Sequence, residues 1–151
     1  MTIEIRHNMV SVNGANLHVT DAGNVGDPMV ILSHGFPECA WSWRHQIEPL
    51  AEAGFHVVVP DQRGYGHSDN PKVVDFYNIQ NLTGDLFALI DHYGHDDAIF
   101  VGHDWGAIIV WEAARLRPDK VRAVVGVSVP FTEWPMSPTT LRSCSARRPW
   151  W

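Results

Sequence analysis

Five residues carry the densest chemical signal in this chain: Gly102-His103-Asp104-Trp105-Gly106, set directly behind the apolar run Ala98-Ile99-Phe100-Val101. The Gly-x-nucleophile-x-Gly spacing is that of a sharp strand-to-helix elbow, with aspartate where serine is the usual occupant. Glycine is needed at both ends because a side chain there would collide with neighbouring backbone. The middle residue is then thrust beyond the carboxyl end of the strand, on strained backbone above a helix N-terminus. A carboxylate so placed suits displacement at a saturated carbon carrying a leaving group, which leaves an ester on the protein. A plainer reading of the same residues is a tight turn whose aspartate caps the following helix.

A second segment adds to the first. The apolar run Met29-Val30-Ile31-Leu32 is followed by Ser33-His34-Gly35-Phe36-Pro37-Glu38, and two further stretches, Trp41-Ser42-Trp43-Arg44-His45-Gln46 and Asp61-Gln62-Arg63-Gly64-Tyr65-Gly66-His67-Ser68-Asp69, lie nearby. With these in place the chain resembles the α/β-hydrolase superfamily and, within it, the epoxide hydrolases. The likeness runs from the start of the chain to about residue 131. It implies that Asp104 is the nucleophile and that the backbone N–H groups of Phe36 and Trp105 form the oxyanion hole. It also implies a substrate surface that includes Trp105 and Pro37, a small epoxide as substrate, and no cofactor or metal. His34 and His103 are expected to be hydrogen-bonded supports behind the reacting groups and not bases. The similar haloalkane dehalogenases are the alternative. They usually carry Asn after His-Gly, where this chain has Phe36, and usually lack His before the nucleophile.

Elements able to position these residues are legible in the pattern. Ile3 to Val12 and Leu17 to Thr20 read as strands joined through Asn13-Gly14, a strong hairpin signal. A buried strand is expected around Val30 and another at His56 to Val59, stopped by Pro60. Helices are expected from Trp43 to Ala53, with Gly54 behind, and from Ile79 to Tyr93, where Leu82, Leu86, Leu89 and Ile90 make an apolar stripe. The elbow strand is followed by a helix from Trp105 to Leu116, and the last strand spans Val121 to Val129. The fold class is therefore α/β, a mostly parallel sheet with helices on both faces. Ligands in such sheets bind beyond the carboxyl ends of the strands. The Trp41 and Trp43 rings are expected to anchor the first helix, and Arg63 to pair with a carboxylate.

Composition excludes other classes. Of 151 residues 45% are hydrophobic and 19% charged, with a net charge of -6, which argues for a packed domain and against a nucleic-acid partner. Two cysteines, Cys39 and Cys144, make no disulfide framework or metal motif. No leader or membrane-spanning run is apparent, so a cytoplasmic location and no membrane partner are the expectations.

In this fold the triad partners come in the order nucleophile, acid, histidine. His103 is the last histidine of the sequence and Tyr93 the last tyrosine. The family's base and lid tyrosines are thus without counterparts, and turnover by this chain alone is not expected. Residues 1–131 read as the N-terminal part of the hydrolase core, and 132–151 as the start of a lid region and then an atypical tail. That tail holds Arg142, Arg147 and Arg148, three of eleven Lys and Arg residues, and reads as a truncated or frame-shifted end with the lid and last strands missing. The alternative is a non-catalytic product. An open apolar edge at Val121 to Val129 is expected to favour self-association.

Overall fold

Period-two apolar alternation and short buried runs set the sheet. The computed structural model of the chain describes residues 3–131. β1 (Ile5–Val12) and β2 (Ala15–Ala22) form an antiparallel hairpin, with Asn13 and Gly14 at φ 48° and 73°. Asn-Gly takes up that left-handed pair at little cost. β3 (Met29–Ser33), β4 (His56–Pro60), β5 (Ala98–His103) and β6 (Val121–Val127) run parallel to one another. The order is β1-β2-β4-β3-β5-β6, with β2 antiparallel to β4.

Alternate side chains of the central strands feed two cores. On one face α2 (Ile79–His92) and α3 (Trp105–Leu116) bring Leu86, Leu89, Ile109 and Val110 onto Met29, Ile31, Val58 and Phe100. On the other, α1 (Arg44–Glu52) brings Ile47 and Ala51, with Trp43, onto Val30, Leu32, Val57 and Val59. Every residue of β3 and β4 is buried, as strands covered on both faces require. The expected fold class is the one observed.

Several boundaries differ from expectation for local reasons. The first helix begins at Arg44 because Ala40–Trp43 wind as a 3-10 turn. Of the two rings before it only Trp43 anchors; Trp41 is 70% exposed, with the Arg44 guanidinium 5.2 Å above its ring. The last strand stops at Val127, since Ser128 takes φ 69° and leaves the pleat. β6 has β5 as its neighbour in the sheet, and one of its faces meets α3, with Val124 packed on that core. On the opposite face Ala123, Val125 and Val127 are exposed. The expectations placed on 132–151 lie outside the described residues. Among the described residues no helix is long and apolar enough to cross a membrane.

Candidate active site

The elbow is built by backbone contact. A side chain at Gly102 would sit 2.3 Å from the Gly106 carbonyl oxygen, and one at Gly106 would sit 2.1 Å from the Ser33 carbonyl oxygen. Only glycine allows the start of α3 to close against β5 and β3 at that range. Asp104, between them, holds φ 53° and ψ -122°, a conformation that L-residues avoid unless the surroundings enforce it. Its carboxylate makes no capping bond to α3. The plain reading of Asp104 as a helix cap therefore fails: the side chain reaches across to the loop after β3.

There it meets the loop from His34 to Glu38. The Phe36 N–H donates to Asp104 Oδ1 at 2.9 Å. This bond holds the Asp104 carboxyl below the usual carboxylate range, and the Trp105 N–H lowers it further. Gly35 is required beneath, because a Cβ there would lie 2.4 Å from Asp104 Cβ. The two amides assigned from sequence thus act on one carboxylate, which is half-buried and ionised at neutral pH. Phe36 and Trp105 are 64% and 57% exposed and Pro37 is also exposed, so the residues that donate to the carboxylate present apolar side chains to solvent.

Both neighbouring histidines are tied up. His34 is fully buried; its Nε2 accepts from the Gln62 N–H at 3.0 Å and its Nδ1 lies 2.9 Å from the Gly35 carbonyl oxygen. Nε2 must therefore be the lone-pair nitrogen and Nδ1 the donor. Burial lowers the His34 pKa and keeps the ring neutral. His103 Nδ1 lies 3.3 Å from Glu38 Oε2, which also accepts from the Gly35 N–H at 3.3 Å. Partial burial pushes the Glu38 carboxyl up, but the Gly35 N–H and His103 outweigh it and leave it below its ordinary value. Neither imidazole is placed as a free base beside Asp104.

Sequence reasoning passed over three partners. Glu38 ties the loop after β3 to the elbow through the Gly35 N–H and His103. Gln62 sends its side-chain N–H groups to Ser33 Oγ at 3.2 Å and to the His34 carbonyl oxygen. Tyr65 packs its ring edge-on to His34, with centroids 5.1 Å apart. Burial and the nearby Asp104 charge raise its phenol pKa. The only available signal was that Gln62 and Tyr65 follow β4 and so lie at the same carboxyl edge. Arg63 does find a carboxylate, Asp85 of α2, and with it anchors this loop.

Comparison with known proteins places the fold in a family. A family model described as alpha/beta hydrolase fold matches residues 28–151. Epoxide hydrolase A of Mycobacterium tuberculosis is 55% identical over 81% of this chain and 38% of its own length. Epoxide hydrolase B of the same organism is 48% identical over 83% of this chain and 36% of its own. The crystal structure of epoxide hydrolase A from Mycobacterium thermoresistibile superposes with a TM-score of 0.87 at 48% identity, over 94% of this chain and 44% of that one. The chain thus spans well under half the length of these relatives. The chain belongs to the α/β-hydrolase fold family, and over most of its length it is similar to epoxide hydrolases.

Proposed function

We propose that this chain carries the nucleophilic portion of an epoxide hydrolase, with Asp104 as the attacking group. The observation that carries the reading is the Asp104 carboxylate held at 2.9 Å by the Phe36 amide on an elbow at φ 53°. The names of the relatives supply the substrate class, a small epoxide. One oxygen of Asp104 is retained by Phe36; the other attacks an epoxide carbon as the ring C–O bond breaks. The alkoxide so formed takes a proton from water, and a hydroxyalkyl ester remains on Asp104. Attack of water on the ester carbonyl would place negative charge where Phe36 and Trp105 donate. Losing one such donor costs about 100- to 1,000-fold in rate. That second step also needs a base. No histidine follows Asp104 in the sequence, and His34 and His103 are engaged elsewhere. The ester is therefore expected to persist.

Incubation of the purified chain with styrene oxide, followed by intact-mass measurement, tests this. A single stable adduct with no accumulating diol is expected. Repeated diol formation overturns the block on turnover, and absence of an adduct overturns the nucleophile. The exposed Trp105 indole favours one second reading, in which its N–H receives a leaving halide; halide release from a chloroalkane would promote it. For partners, β6 is last in the strand order of the described residues and bears the exposed Ala123, Val125 and Val127, which favours pairing of a second copy along it. Light scattering is then expected to show a dimer, and a monomer at all concentrations removes that partner.

A further inference from the structure

We propose that Gln62 is a positioning residue for the oxyanion amide: through His34 it sets the plane of the Gly35–Phe36 peptide and so aims the Phe36 N–H at Asp104. The proposal rests on the reading of Asp104 as the reacting carboxylate. The bonds form an unbroken series. The Gln62 backbone N–H holds His34 Nε2 at 3.0 Å, and its side chain holds Ser33 Oγ at 3.2 Å and the His34 carbonyl oxygen. His34 Nδ1 in turn donates to the Gly35 carbonyl oxygen at 2.9 Å, which also accepts from the Glu38 N–H at 3.0 Å. That oxygen belongs to the same peptide unit as the Phe36 N–H. Because the unit is planar, fixing its oxygen fixes the direction of its N–H. On the far side that N–H reaches Asp104 Oδ1 at 2.9 Å.

Gln62 is suited to this task by chemistry and place. It is 8% exposed, and its carboxamide supplies two donors to neighbouring acceptors. Leucine or methionine would fill the volume and keep the backbone N–H on His34 Nε2. Neither would give a donor to Ser33 Oγ or to the His34 carbonyl oxygen, a bond that holds the backbone leading into Gly35. A carboxylate would set like against like, facing the His34 carbonyl oxygen. Asp104 depends on two donors of different origin. The Trp105 N–H comes with the elbow itself, whereas the Phe36 N–H lies on a separate loop that must be tied down. Gln62 bonds to the loop that carries the second donor and makes no hydrogen bond to the elbow residues 102–106.

The test reads the two amides in the full chain by proton–nitrogen NMR. In Gln62→Met the Phe36 amide proton is expected to move upfield as its charge-assisted bond lengthens, while Trp105 stays in place. In Gln62→Glu the same displacement is expected at pH 8. It should reverse by pH 5.5, as the buried carboxyl takes up a proton and becomes a donor again. The unmodified chain, followed over the same range, is the reference for any shift at Phe36 that does not come from position 62. The charged and titratable groups around the relay are His34, Glu38, Asp61, His103 and Asp104. An unmoved Phe36 resonance in both variants overturns the proposal. So does joint movement of Phe36 and Trp105, or failure of both variants to fold, since each would mark Gln62 as a general structural residue. The readout needs no epoxide. A Phe36 amide that responds while styrene oxide leaves no adduct would keep this relay and remove the epoxide reading.

Discussion

Behind the carboxyl edge of the sheet, Arg63 donates to both oxygens of Asp85 at 2.7 and 2.5 Å and to the carbonyls of Phe76 and Asn13. Beyond the opposite edge lies another buried polar cluster, built around His56. Its Nδ1 is 3.1 Å from His95 Nε2, its ring packs against Tyr93, and its Nε2 is buried with no hydrogen-bond partner. Both side chains are almost wholly removed from water. The first cluster satisfies its charge with a bidentate partner and two carbonyls and ties together a loop, a hairpin and α2. The second is left one bond short. Asp61 belongs to the first design: it accepts from the Ala40 and His67 N–H groups and from His18. The contrast is between these two clusters and not between two rims, because Trp43 Nε1, in the turn after β3, is also buried without a partner.

The largest effect separating the two clusters is expected at Asp85. Asp85→Ala leaves a buried guanidinium without its counter-charge and should cost about 3–5 kcal/mol of stability in urea unfolding. A cost below about 1 kcal/mol would show that Arg63 finds water, and the contrast with His56 would dissolve.

Acid should act on the other cluster. Burial pushes the His56 pKa from 6.5 down to about 4. Between those values the unfolded chain binds a proton that the folded chain refuses. Stability is therefore full above about pH 6.5 and falls as pH drops toward 4, by about 3 kcal/mol. His56→Leu should flatten that part of the pH profile. An unchanged slope would locate the acid sensitivity elsewhere.

A smaller effect marks the surface limit. Lys120 reaches Asp91 at 2.8 Å, but Asp91 is mostly exposed, so Lys120→Ala should cost no more than about 1 kcal/mol. A larger loss would mean that exposed pairs in this fold carry weight comparable to the buried ones.

The elbow and the loop facing it were legible in the sequence because they depend on local backbone chemistry. Gly102 and Gly106 announce the close approach, the run from Ala98 announces the strand, and Pro37 marks the loop after His34 and Gly35. The supporting half was not legible. Gln62, Glu38 and Asp85 have no fixed spacing from Asp104 or Arg63; the sheet order brings them together. β4 lies beside β3, so the loops after Ser33 and Pro60 share one edge. Trp41 and Trp43 make the same point on a smaller scale. Two rings at that spacing look equivalent in sequence, and only the 3-10 turn decides which is buried.

The most direct measurement is the site of ester formation. After exposure to styrene oxide, peptide mass mapping should place one hydroxyalkyl group on Asp104, and Asp104→Asn should carry none. Modification at Glu38, Asp61 or His103 with Asp104 untouched would contradict the assignment of the elbow carboxylate as nucleophile.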